Sequence, residues 1–212
     1  MTASSGARRV RSGEGGSPAL ALDMGAIGAA QRLSDLLLAG GDEGEVAAAL
    51  NDEVRGLQLS WDPQTQDLPT TAMRAAQAYW QSLPRSGGLP EVLQVEPGRL
   101  RAALGYIMLV DVGEETGDFR YALYGSKIAA VAGFDLTGKS IWDIPTLSAV
   151  QVFFAGCYLA VGRAGRPLYS VHEAPPSITV SAWHRLILPL GRVGVVRRFL
   201  VCNQPMKSLH PH

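Results

Sequence analysis

Cysteine, net charge and long apolar runs are all scarce in this sequence of 212 residues. The two cysteines, Cys157 and Cys202, lie far apart without a CxxC spacing, which excludes a disulfide framework and gives no zinc motif. Lysine plus arginine and aspartate plus glutamate both number 19, so no net charge is available to attract nucleic acid or an anionic membrane. We therefore expect neither of those partners.

Segments that could enter a membrane are missing as well. The apolar stretch 147–162 is too short for a hydrocarbon layer of about 30 Å and contains Ser148 and Gln151. Arginines near the N-terminus resemble the start of an export signal, but Asp23 interrupts the apolar stretch that such a signal needs. The sequence therefore predicts a cytoplasmic protein.

Catalytic and metal-binding signatures do not occur either. The sequence has no GxSxG, HExxH or Walker motif, and no GxGxxG that opens a helix after a strand. His172 and His184 fall on neighbouring predicted strands, but a metal site needs three or four converging ligands. We expect no metal and no enzyme. The alternative is a small α+β enzyme with an enclosed cavity, whose candidate residues are Cys157, His184 and Asp111.

The first 66 residues differ from the rest of the chain in composition. Residues 1–22 are rich in glycine, serine and arginine and are predicted to form a disordered tail. Residues 23–66 are predicted to form a helical extension, whose second helix starts at the N-cap Asp42. An apolar stripe follows Asp42 at helical spacing, and its members are Val46, Leu50, Val54 and Leu57.

The extension is acidic and the rest of the chain is basic. Residues 1–66 hold nine acidic and five basic side chains, whereas residues 67–212 hold ten acidic and fourteen basic ones. Ordinary surface composition explains this division, because exposed charges act weakly. The alternative is that the acidic helices dock on, or exchange from, the basic remainder. The sequence leaves both explanations open.

Residues 67–206 carry the pattern of one sheet-and-helix domain, and 207–212 follow as a tail. A helix capped by Thr70 is followed by two strands (GYIMLVDV and DFRYALY), short helices, a long helix over about 147–161 and three strands (PLYSVHEAP, WHRLILPL and VVRRFLVC). Such a segregated order is typical of the α+β class. We predict a five-stranded antiparallel sheet with helices on one face.

Three segments of this domain resemble a known family. They are YWQSLPRSGGLP at 79–90, GYIMLVDVGEETGDFRYALYG at 105–125 and GFDLTGKSIWDIP at 133–145. They are similar to stand-alone bacterial PAS domains of the alphaproteobacterial type, and the resemblance extends over about 73–204. It implies a PAS-like fold and a sensory or regulatory protein that acts through protein–protein interaction, and some PAS domains also hold a small ligand.

Haem and photoactive flavin, which some PAS domains bind, do not fit this sequence. Haem needs an axial ligand that faces the cavity. The long helix offers only Cys157, and burial would keep its thiol protonated. The resemblance would place a reactive flavin-binding cysteine after the first hairpin, but GSKIAAVAGFDLTG contains none. No cofactor is predicted.

Aromatic side chains form the candidate ligand pocket. The candidates share a face of the long helix or a strand that can point inward; they are Tyr121, Phe153, Phe154, Cys157, Tyr158 and His184. Large apolar groups mixed with a few polar tips build either a small-ligand pocket or a filled core. Close packing of protein interiors favours the filled core. A lipid-binding cavity is a further alternative that no residue distinguishes.

The expected mode of action is binding to other proteins. The PAS-like domain and its extension account for the whole chain, so a regulatory partner such as a histidine kinase or a nucleotide-messenger enzyme is expected. A homodimer can form through the apolar stripe at 46–57 or the one at 73–83. The sequence indicates neither the signal nor the identity of the small ligand.

Overall fold

The computed structural model describes residues 24–91, 96–174 and 180–206. The helices are α1 (Met24–Leu38), α2 (Glu43–Ala49), α3 (Thr71–Gln81), α4 (Ser126–Ala132) and α5 (Ser148–Ala164), with 3₁₀ helices at Thr65–Asp67, Pro97–Ala103 and Ile141–Asp143. The strands are β1 (Gln58–Trp61), β2 (Arg85–Ser86), β3 (Leu89–Pro90), β4 (Ile107–Val112), β5 (Phe119–Leu123), β6 (Leu168–Glu173), β7 (Ala182–Arg192) and β8 (Val195–Met206). The tails expected at 1–22 and 207–212 lie outside the described residues.

The main sheet is antiparallel and has the order β1-β6-β7-β8-β4-β5. All five strands predicted from the sequence are present, so the predicted α+β class with an antiparallel sheet is confirmed. The sixth strand, β1, comes from the extension and pairs with β6, where Gln58 lies opposite Val171. The extension thus completes the edge of the sheet, whereas β2 and β3 form a separate hairpin.

The second helix is shorter than its apolar stripe suggested. Asp42 caps α2 as predicted, since the backbone N of Glu45 donates to Asp42 Oδ1 at 2.9 Å. The helix ends at Ala49, because Asn51 and Asp52 adopt the left-handed region with φ of 54° and 57°. The second half of the stripe therefore lies in a loop that leads into β1.

Helices cover both faces of the sheet, whereas the sequence pattern predicts helices on one face. We call inner the face that packs on α1, α4 and α5, with Phe153 and Phe199 in its core. The outer face packs on α3 and the 3₁₀ helix before β4, with Met73 and Leu188 in its core. Strands β7 and β8 send apolar side chains to both sides, and such strands need a cover on each face.

The extension docks on α5 through apolar contacts. Leu33 of α1 is buried against Gly156 of α5, where an added Cβ would lie only 2.7 Å from Leu33 Cδ2. An exposed ion pair joins Arg163 and Asp35 at 2.6 Å beside this contact. The extension is thus docked on the domain, and apolar burial contributes more to this contact than an exposed ion pair does. Docking through the opposite charges of the two parts stays a prediction.

The two apolar stripes considered for a homodimer are used inside the chain. Val46 and Leu50 belong to the inner core, and Met73 and Ala76 belong to the outer core. These four side chains are between 0% and 2% exposed. A second copy would have to open a core to reach either stripe, so neither surface is available for the expected homodimer.

Candidate functional site

A cavity of about 640 Å³ lies between the inner face of the sheet and the N-terminal half of α5. Strands β5 to β8 form its floor, and α5 with the segment 144–147 forms one wall. The loop 51–55 of the extension forms another wall. The volume is typical of a small-molecule site.

Three buried polar side chains of the floor have unsatisfied hydrogen-bonding atoms. His172 of β6, Arg185 of β7 and Asn203 of β8 are each only 3–4% exposed. Within the described part of the chain, no partner reaches His172 Nδ1, Arg185 Nε and Nη1 or Asn203 Oδ1. Buried polar atoms in proteins are nearly always hydrogen-bonded, so this cluster requires an explanation.

Burial keeps the titratable groups around Arg185 uncharged at neutral pH. Desolvation lowers the pKa of His172 to about 3, and the charges of Arg185 and His184 act in the same direction. Desolvation also raises the pKa of Tyr121 well above its usual value, and the neighbouring Tyr158 adds to this effect. The floor of the cavity therefore carries one positive charge and neutral polar groups.

Aromatic rings form the wall beside Arg185. The guanidinium carbon of Arg185 lies 3.5 Å from the ring centre of Phe154 on α5. Trp183, Tyr124 and Phe134 also line the cavity, and the rings of Tyr124 and Phe134 are 6.1 Å apart. The cation–π contact stabilises the arginine charge but leaves Nε and Nη1 without acceptors from the described residues.

The charged side chains at the rim are exposed, unlike those of the floor. Asp52, Glu53 and Arg55 belong to the loop after α2, and Glu173 stands at the end of β6. The backbone N of Glu173 donates to the backbone O of Arg55 at 2.8 Å, which ties this loop to the sheet. The extension is therefore a structural part of the cavity.

The residues predicted for the ligand pocket occupy three different places. Tyr121 and Phe154 line the cavity, Phe153, Cys157 and Tyr158 are buried in the inner core, and His184 lies on the outer face. His184 Nδ1 shares a hydrogen bond of 2.6 Å with the Tyr169 hydroxyl. Side chains alternate along β7, so His184 cannot share the inner face with its neighbour Arg185. The inner face thus contains both a filled core and a cavity.

The candidates for the enzyme alternative are not brought together. Cys157 is in the inner core, where burial raises the pKa of its thiol to about 12. A thiol in that state is a poor nucleophile at neutral pH. Asp111 of β4 accepts a hydrogen bond from Arg198 Nε at 2.5 Å, and His184 lies on the outer face. These residues form no nucleophile–base pair.

The polar floor is not among the features predicted from the sequence. Arg185 stands in the apolar run WHRLILPL, whose pattern predicts a strand but was not resolved into its two faces. Alternation puts Trp183, Arg185 and Ile187 on one face of β7, and both apolar members belong to the inner core. An arginine at such a position is rare unless it has a partner. An arginine on the apolar face of a predicted strand is therefore the feature of the sequence that indicates the polar floor.

None of the helices within the described ranges 24–91, 96–174 and 180–206 combines the length and the apolar character that a membrane crossing requires. Nor do three or more His, Cys, Asp or Glu side chains there converge into a group that could bind a metal ion.

Comparison with known proteins identifies the domain. A family model described as PAS domain matches residues 68–189, which is more than half of the chain and extends from the segment before α3 into β7. No curated protein and no solved structure matches the chain. The chain therefore belongs to the PAS domain family, whose members are sensory and regulatory modules.

Proposed function

We propose that this protein is a non-enzymatic regulator that binds a small molecule in its cavity and passes the bound state to a partner protein. The proposal includes a bacterial, cytoplasmic setting and a partner such as a histidine kinase or a nucleotide-messenger enzyme. These finer points rest on the resemblance of the three sequence segments at 79–90, 105–125 and 133–145.

One observation carries the proposal: His172, Arg185 and Asn203 line the cavity, and each keeps a buried polar atom without a partner among the described residues. A purely structural core would fill this space with apolar side chains or pair the polar atoms with one another. Unpaired buried polar groups destabilise a fold, and a ligand that supplies partners removes that penalty. The cavity therefore favours a binding function over a scaffold without a ligand.

The extension is the element through which binding would reach a partner. Its loop 51–55 lines the cavity, and α1 packs along α5, whose Phe154 lines the opposite wall. A ligand that orders this loop changes the stability of the segment leading into the edge strand β1. The free surfaces of the extension are thus the part of the molecule that can report occupancy.

Filling the cavity with a side chain tests this function. Val150 of α5 lines the cavity, so Val150→Trp occupies it, whereas Val195→Trp places the same ring at an exposed position of β8. We expect native mass spectrometry of the wild-type protein from its own cells to show a small-molecule adduct that is lost on denaturation. The Val195→Trp variant should keep the adduct and Val150→Trp should lack it.

Partner capture with the same three proteins completes the test. A signalling protein should be recovered in different yield with Val150→Trp than with the wild-type protein or Val195→Trp. Equal recovery by all three proteins, together with native masses that match the bare chain, would refute a ligand-responsive regulator.

A further inference from the structure

Arg185 is a buried cation without a counter-ion among the residues that the structure describes. Its side chain is 4% exposed, and no carboxylate of the described residues lies within ion-pair distance of it. Among the described residues no acceptor reaches its Nε and Nη1 atoms, and its guanidinium carbon lies 3.5 Å from the ring centre of Phe154 and 6.0 Å from that of Tyr158. A buried charge is strongly unfavourable unless it is paired, and the aromatic contact compensates only in part.

The groups next to Arg185 are polar but supply no negative charge. Asn203 lies directly opposite Arg185 in the β7–β8 pairing, and His172 is on the next strand, β6. The imidazole of His172 and the hydroxyl of Tyr121 stay neutral at physiological pH. A bound molecule with one negative charge would therefore balance the floor and give acceptors to Arg185.

The rest of the cavity sets the character of that molecule. Phe154, Trp183, Tyr124 and Phe134 provide apolar and aromatic surface beside the charged floor. From this arrangement we infer that the cavity binds a small monocarboxylic acid with an apolar body, held through its carboxylate by Arg185. The inference rests on the proposed ligand-binding function and names its ligand class.

A monocarboxylate fits the charges better than a phosphate or a nucleotide does. Arg185 is the sole cation of the described floor, so a phosphate dianion would retain an unbalanced buried charge. The rim carries three acidic side chains, Asp52, Glu53 and Glu173, and one basic side chain, Arg55. Its negative charge disfavours the binding of polyanions, whereas solvent screens its repulsion of a monoanion. The planar fork of a guanidinium also matches both oxygens of a carboxylate.

Thermal shift and calorimetry with defined acids test the inference. The probes are phenylacetate and hexanoate, their neutral amides and phenyl phosphate. A hundredfold excess over Kd should raise the melting temperature of the wild-type protein by about 5–10 °C for a carboxylate. We expect the amides and phenyl phosphate to produce much smaller shifts.

Two variants of the floor and one control locate the effect. Arg185→Met should weaken carboxylate binding by at least about 30-fold, whereas Arg197→Met, at an exposed position of β8, should leave it unchanged. Asn203→Asp keeps the side-chain size and puts a carboxylate opposite Arg185. That variant should melt at a higher temperature without ligand and lose the response to the acids.

The outcomes separate this inference from the proposed function. Equal shifts with amides and acids, or an unchanged response in Arg185→Met or Asn203→Asp, would overturn the carboxylate assignment while small-molecule binding stands. Binding of phenyl phosphate alone would also overturn it. A wild-type protein that responds to none of the probes contradicts the carboxylate class, and the native-mass experiment then decides whether the cavity holds any ligand.

Discussion

At the scale of single residues, His172 is held uncharged by what surrounds it. The centre of its ring lies 5.7 Å from that of Phe153 and 5.2 Å from that of Phe154. The positive charge of Arg185 also disfavours a proton on this imidazole. Burial lowers its pKa from 6.5 to about 3. In the unfolded chain the same imidazole takes up a proton near pH 6.5.

The depressed pKa of His172 predicts a defined acid sensitivity. Between its folded and unfolded pKa values, the unfolded state binds more protons than the native state, so acid favours unfolding. The associated stability is complete above about pH 6.5 and decreases by up to about 1.4 kcal/mol per pH unit as the pH falls toward 3. His172→Gln should remove this slope in urea unfolding curves measured without ligand at several pH values.

His184 provides the control for this measurement. It is half-buried, and desolvation lowers its pKa by less than it lowers the pKa of the more deeply buried His172. His184→Gln should therefore stay closer to the pH dependence of the wild-type protein. Parallel curves for the wild-type protein and His172→Gln would show that His172 is not the group responsible.

At the scale of elements, the contact between α1 and α5 depends on a glycine. A Cβ on Gly156 would lie 2.7 Å from Leu33 Cδ2 and 3.0 Å from Leu33 Cβ, and the second atom belongs to the stem of the side chain and cannot rotate away. On the same helix, a Cβ on Gly162 would meet Phe199 Cζ at an ordinary 3.6 Å. Two glycines of one helix therefore have opposite packing roles.

Alanine at these two positions should have opposite effects on stability. Gly156→Ala should lower the free energy of unfolding by about 1–3 kcal/mol, because α1 must shift away from α5. Gly162→Ala should leave it unchanged or raise it by up to about 1 kcal/mol, because alanine is the better helix former. Urea unfolding measures both, and equal stabilities of the two variants would contradict the close approach of the helices.

The elements that could be predicted from sequence are those whose signal is local. The cap at Asp42, the alternation in β5 and the apolar run of β4 each follow from neighbouring residues. Strand β1 has four residues and exists through its pairing with β6, so its own pattern is too short to reveal it. The polar floor of the cavity is absent from the predictions for a similar reason, because His172, Arg185 and Asn203 come from three different strands.

At the scale of the whole molecule, the extension and the PAS domain share one core. Leu33 and Leu37 of α1 and Val46 of α2 belong to the same inner cluster as Phe153 of α5. Strand β1 of the same extension closes the sheet edge at β6. The family match starts at residue 68, so it leaves out a segment that contributes to the core, the sheet and the cavity wall.

This shared core predicts that apolar burial, and not charge, holds the extension in place. Leu33→Ala removes a buried side chain and should lower the free energy of unfolding by about 2–5 kcal/mol. Asp35→Asn removes the exposed pair with Arg163 and should change it by less than about 1 kcal/mol. Urea unfolding at low and high salt measures both variants. If Asp35→Asn proved the more damaging, or if salt weakened the wild-type protein as much as Leu33→Ala does, the acidic extension would be held by the basic domain through charge.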